Sequence, residues 1–154
     1  MIGMIETEQL SCAVALRARL AIAAVAIALG VAGCGSSPMA PSTTFSTTDL
    51  VVGTGAVAEN GKTVTVNYTG WLYDSSRPSN LGGTFGTTVG GTPFTFVLGS
   101  GVAIPGFEQG VLGMKVGGLR RVVVPPELAY GAAGAGPIPP NWPIIFDVSL
   151  VAVQ

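Results

Sequence analysis

At 154 residues, with 10% charged residues and a net charge of -1, the chain has room for one domain with a single core and carries no basic cluster to track nucleic acid. It contains no histidine, and its only cysteines are Cys12 and Cys34, which excludes histidine-based triads, the usual zinc sites and an internal disulfide framework. Glycine (23) and proline (11) are abundant, which favours short strands and many turns; any chemistry must need neither metal nor imidazole, and no cofactor is expected.

In chain order, the first feature is Leu20 to Ala32, an unbroken apolar run of 13 residues preceded by Arg17 and Arg19. It is too short for the roughly 20 residues of a membrane-spanning helix and reads as the apolar core of a signal peptide. Val31-Ala32-Gly33-Cys34 ends it and resembles the lipobox of bacterial lipoproteins, in which the cysteine is lipidated and becomes the first mature residue. The alternative is an ordinary small-residue cleavage site, but a lone exposed thiol is a liability in an oxidising compartment. Glu6 and Glu8 do not suit a positive n-region, and a start near Val14 would remove both, along with Cys12. The expected organisation is therefore a signal peptide over 1–33, lipidated Cys34 and a flexible Ser/Thr/Pro linker over 34–46, and a folded domain over 47–154. This predicts an exported protein, lipid-anchored to a bacterial membrane and facing the periplasm or cell exterior, with no other membrane contact.

Leu50-Val51-Val52 is a short strand candidate, followed by Gly53-Thr54-Gly55-Ala56-Val57-Ala58, which matches the letters of a dinucleotide fingerprint. That fingerprint must open a helix, whereas Asn60-Gly61 makes a turn here, so no dinucleotide site is expected. Thr63 to Tyr73 alternates, with Val64, Val66, Tyr68 and Leu72 on one face, as a half-buried antiparallel strand does. Asp74 to Gly83 reads as a polar loop, and Pro93 to Leu98 as another strand. Ile104-Pro105-Gly106-Phe107-Glu108-Gln109-Gly110 reads as one short helix, with Pro105 at its first position and Phe107 and Val111 on one face. So short a helix needs a sheet to bury Phe107. Arg120 to Val124 is a strand stopped by Pro125-Pro126, Glu127 to Pro143 a long Gly/Pro/Ala loop, and Ile144 to Val153 a closing strand. The class is α+β: an antiparallel sheet of about five strands on one short helix.

Tyr68-Thr69-Gly70, Pro93-Phe94-Thr95-Phe96, Leu98-Gly99, Ile104 to Gly110, Met114-Lys115-Val116-Gly117, Ala129-Tyr130-Gly131, Ile138-Pro139-Pro140 and Phe146-Asp147-Val148 stand in the order seen in one known family. Over Phe45 to Gln154 the chain resembles the FK506-binding-protein (FKBP) type of peptidyl-prolyl isomerase. The resemblance implies a twisted sheet curled around the helix, with a proline pocket between them. It makes Phe107 the pocket floor, where many members have tryptophan, and Tyr68, Phe85, Phe94, Ala103, Ile104, Ile138 and Phe146 its walls. Tyr130 is expected to donate its hydroxyl to a substrate carbonyl, and the Ile104 backbone N–H to bind another. Proline-containing polypeptide clients and FK506-like macrolides are the implied partners of a monomeric isomerase.

Two departures from the family pattern stand out. Gly86 occupies a position where the family usually has aspartate, and no arginine lies between Thr87 and Thr92 to pair with one. Losing both is milder than losing one, because a single survivor would be an unpaired charge in an apolar site. A histidine often found in the family's long loop is Ala135 here. Gly86 keeps open a second reading, a proline-peptide binding or chaperone module without catalysis, and a purely structural domain is a third.

Overall fold

A computed structural model describes residues 40–154. The expected signal peptide, Cys12, Cys34 and the start of the linker lie outside the described residues. Six strands form one antiparallel sheet: β1 (Ser46–Val51), β2 (Thr63–Tyr73), β3 (Leu81–Thr87), β4 (Phe94–Val97), β5 (Leu119–Val124) and β6 (Ile144–Val153). The order across the sheet is β1-β5-β6-β2-β3, with β4 also on β2, and one helix, α1 (Pro105–Val111), packs against it. The antiparallel sheet and single short helix expected from the sequence are present, with one strand more than expected. Among the described residues no helix is long and apolar enough to cross a membrane.

The alternation in β2 and β6 dictates which face is buried. Val64 and Val66 of β2 and Ile144, Val148 and Leu150 of β6 are fully or almost fully buried, while the threonines of β2 point the other way. On that outer face Thr65 and Thr69 pair their hydroxyls with Thr95 and Thr87 at 3.0 and 2.9 Å. Arg121 and Asp147 form a two-point ion pair there, with both bonds at 2.7 Å.

The extra strand is β3, which the sequence presents as loop because Gly82 and Gly83 break any apolar rhythm. Strands β3 and β4 pair with successive halves of β2: Tyr73 to Thr69 faces Leu81 to Thr87, and Val66 to Thr63 faces Phe94 to Val97. They amount to one strand interrupted by the loop Thr88–Pro93. Thr88 fastens this loop, its hydroxyl accepting the Tyr68 N–H at 2.9 Å and its own N–H reaching the Tyr68 carbonyl.

The helix begins at Pro105, where a missing N–H is harmless, and Ile104 caps it with extended backbone. It lies close on β5 because the contacting residues are glycines. A Cβ on Gly106 would overlap Cγ1 of Val124, and one on Gly110 would meet Val122 at 2.6 Å. Arg120 of β5 closes the other end, donating to the carbonyls of Gly110 and Leu112 at 3.0 and 3.1 Å and to Asp49 of β1 at 2.6 Å. The Arg120 hydrogen bond holds the Asp49 carboxyl below the usual carboxylate range. One cation thus satisfies helix carbonyls that the last turn leaves without partners and ties β1 to α1.

Gly53–Ala58 opens no helix. Gly53 and Gly55 run against Lys115–Gly118, where a Cβ would collide with the backbone at Gly53 and with the Val116 side chain at Gly55, and the Gly55 N–H bonds the Val116 carbonyl at 3.1 Å. These glycines serve close packing, and no helix follows them.

Candidate active site

The concave side of the sheet and the helix enclose a cavity of about 100 Å³ lined by Tyr68, Phe94, Ala103, Ile104, Phe107 and Phe146. Six of the residues singled out in the sequence therefore meet around one small apolar space. Phe107, 4% exposed, forms its floor. Its ring centroid lies 5.0 Å from Phe146, 5.5 Å from Tyr68 and 6.3 Å from Phe94, at interplanar angles of 81°, 74° and 64°. Edge-to-face contact of this kind fixes ring planes as well as filling space. β2, β4, β6 and α1 contribute one aromatic ring each, so the cavity exists only when all four elements are assembled.

Phe85 and Ile138 stand behind this lining. The Phe85 ring packs edge-on to Phe146 at 5.5 Å, and Gly70 makes that possible, since a Cβ at Gly70 would meet the Phe85 ring at 2.5 Å. Ile138 is 5% exposed and belongs to the core. It is carried there by the long loop, which is folded: 3₁₀ turns at Pro126–Leu128 and Gly131–Ala133 are followed by reciprocal backbone bonds between Ala135 and Ile138 at 3.0 and 2.9 Å. The Trp142 indole N–H fastens the end of the loop to the Tyr73 carbonyl at 3.0 Å.

Tyr130 sits in the same loop and is 36% exposed. Partial burial, and then the nearby Tyr68, push its pKa above the usual tyrosine value, so its O–H is a standing donor at neutral pH. The Ile104 N–H donates to no backbone carbonyl among the described residues, because the turn into α1 uses only the Ile104 carbonyl, which accepts from Phe107 and Glu108. The Ile104 N–H is thus available at an apolar cavity whose lining contains no ionisable group other than the Tyr68 phenol, while Tyr130 is not among the lining residues and stands near that phenol. A Cβ at Gly86 would meet nothing within 4 Å, so a side chain would fit there and the departure leaves open space. No group of three or more metal-ligating side chains occurs among the described residues.

Residues 55–151 match the family model described as "FKBP-type peptidyl-prolyl cis-trans isomerase". The 39 kDa FK506-binding nuclear protein of Drosophila melanogaster is 47% identical over 107 residues, which are 69% of this chain and 28% of that protein. Peptidyl-prolyl cis-trans isomerase FKBP15-3 of Arabidopsis thaliana is 45% identical over 100 residues, 65% of this chain and 66% of that one. Among solved structures, FkpA from Escherichia coli superposes with a TM-score of 0.61 at 37% identity, covering 75% of this chain and 50% of FkpA. The chain spans only about a quarter of the length of several of the curated relatives it matches. These relatives correct the expected localisation. The similar sequences carry the names of nuclear FK506-binding proteins and of a plant isomerase, which points away from an exported, lipid-anchored bacterial protein. Residues 1–34, which carry the leader pattern, lie outside the matched stretch 55–151.

Proposed function

We propose, for a chain that belongs to the FKBP-type peptidyl-prolyl cis-trans isomerase family, that the folded domain rotates X-Pro bonds of polypeptide clients in the cavity floored by Phe107. The observation that carries this reading is the four-ring apolar cavity with the Ile104 N–H free in its lining, to which we add the Tyr130 hydroxyl, near Tyr68, as a second donor. Rotation about an X-Pro bond faces a barrier of about 18–20 kcal/mol that arises from amide resonance. The twisted transition state has lost that resonance and carries less charge separation, so a site that strips water from the amide disfavours the planar form more. A proline ring held against Phe107, with its flanking carbonyls fixed by Tyr130 and Ile104, is bound more tightly when twisted, and every 1.36 kcal/mol so gained is about tenfold in rate. No step needs a titrating group.

The same cavity would take FK506-like macrolides. The described segments around it bear no charge: Leu81 to Phe107 and Leu128 to Phe146 contain no Asp, Glu, Lys or Arg. This suits uncharged, apolar stretches of client. Sites and substrates are tested together by measuring exchange at a short Leu-Pro peptide. Tyr130→Phe is expected to lower turnover by the value of one hydrogen bond, roughly three- to tenfold, while the domain stays folded. Wild-type turnover should be flat across neutral pH, since the raised pKa keeps Tyr130 protonated there. A full rate in Tyr130→Phe, or a steep pH dependence, argues against this assignment.

Gly86 supports the second reading, a module that binds proline peptides without turning them over. Under the isomerase reading, Gly86→Asp changes turnover by no more than about twofold. The new carboxylate fits sterically but finds no arginine between Thr87 and Thr92. If wild type binds the peptide without accelerating exchange and Gly86→Asp converts it to an efficient isomerase, the binding module is correct.

A further inference from the structure

The loop Gly99–Ala103 joins β4 to α1 and delivers two parts of the site, the Ala103 wall and the Ile104 N–H just after it. Little in the loop itself holds its shape. Gly99 and Gly101 adopt left-handed backbone, with φ of 85° and 73°, and Val102 is 66% exposed. Ser100 is fastened only backwards, its hydroxyl donating to the Val97 carbonyl at 2.6 Å. The two ends of the loop are instead joined through one side chain of the first helical turn. Glu108 accepts the Gly99 N–H on Oε2 at 3.1 Å and the Ala103 N–H on Oε1 at 3.3 Å. Each carboxylate oxygen takes one amide, and both amides would otherwise have only water.

From this geometry we infer that Glu108 is a positioning residue: its carboxylate clamps both ends of the Gly99–Ala103 loop and thereby sets where the Ile104 N–H is presented. The inference rests on the isomerase reading of the pocket. Glu108 is not among the residues that line the cavity, so it acts through the loop. Hydrogen bonds to a charged acceptor are stronger than neutral ones, and a carboxylate is the group that accepts two amides at once with nothing left to donate. Without the clamp, the loop samples arrangements in which the donor is misaimed. A client must then select the competent fraction, which raises the apparent dissociation constant by the inverse of that fraction. A saturating client reorders the loop, so the loss falls on KM more than on kcat.

The test uses the full chain as wild type, Glu108→Ala, Glu108→Gln and, as a control on the exposed neighbour, Gln109→Ala. Amide hydrogen exchange at Gly99 and Ala103 is followed in the free protein, and turnover of a short Leu-Pro peptide is measured per folded molecule. Glu108→Ala is expected to speed exchange at both amides about tenfold and to raise KM about tenfold with kcat within about twofold. Glu108→Gln retains one acceptor oxygen and should fall between, and Gln109→Ala should match wild type. Unchanged exchange at both amides in Glu108→Ala overturns the inference. So does unchanged kcat/KM alongside faster exchange, since that is what a purely structural role gives. If wild type binds the peptide without turning it over, the isomerase reading falls separately. Exchange and peptide Kd then decide the clamp, and an unchanged Kd overturns it.

Discussion

Phe107→Ala is expected to destabilise the domain by about 3–5 kcal/mol and to remove most of its isomerase activity. The ring is 4% exposed and touches four others, Tyr68, Phe94, Phe96 and Phe146, at centroid distances of 5.0 to 6.3 Å. Deleting it enlarges a cavity already open to solvent and leaves the remaining rings without the partner that fixes their planes. Stability is read by chemical denaturation, and turnover is normalised to the folded fraction so that unfolding cannot pass for lost chemistry. Phe107→Leu separates the two effects. It keeps much of the volume and should cost less than about 1.5–2 kcal/mol, yet it removes the flat floor and should still lower turnover severalfold. A folded Phe107→Ala protein with undiminished turnover would remove Phe107 from the site.

The second large effect is at Gly106, where two principles predict opposite signs. Helix propensity says that Gly106→Ala, at the second position of the helix, should stabilise by up to about 1 kcal/mol. Packing says the reverse, because the new methyl would overlap Val124 Cγ1 and lie 3.1 Å from the Leu128 carbonyl oxygen. Val124 is fully buried in β5 and cannot swing aside, so α1 itself must lift, at a cost of about 1–3 kcal/mol beyond the propensity gain. Packing wins, and melting should fall by on the order of 10 °C. Since α1 carries Phe107, turnover should fall with it. Adding Val124→Ala makes room for the methyl, so the double variant should lose less than the two single changes sum to. A Gly106→Ala protein that melts higher than wild type would show that the helix is not held against β5 as described.

Much of this fold was legible because burial imposes a period on the chain. β2 alternates valine and tyrosine with threonine and asparagine from Thr63 to Thr69, and β6 alternates from Phe146 to Leu150, although Ile144 and Ile145 before that stretch are both buried. The helix was marked by Pro105 and by the Phe107–Val111 spacing; it starts at Pro105 as expected and runs through Val111. β1 and β3 were harder for the same reason as each other. Ser46 to Val51 is exposed throughout and begins in a Ser/Thr-rich stretch that resembles linker, and Leu81 to Thr87 contains three glycines. Neither has a buried stripe of its own, and each is a strand because β5 or β2 supplies hydrogen bonds. The family motifs named the residues of the cavity, whereas the supports around it have no local signature. Asp49 and Arg120 stand 71 positions apart in sequence and meet only because β1 and β5 pair in register. Gly70 stands in the sequence only as part of the Tyr68-Thr69-Gly70 motif, and its reason shows only in the fold, where the Phe85 ring occupies the space a side chain would need.

The place of β6 has a consequence in time. It is the last strand in sequence and the middle one in space, paired along nearly its whole length with β5 on one side and β2 on the other. During synthesis, β1 with β5 and β2 with β3 and β4 emerge as two ribbons that have no edge in common. Phe146, a wall of the cavity, arrives with the strand that joins them. Pairing across such sequence distances is slow to nucleate, and until it happens each ribbon offers an open edge to other chains. The cavity is therefore completed in one late step, when β6 has left the ribosome and the sheet closes around it.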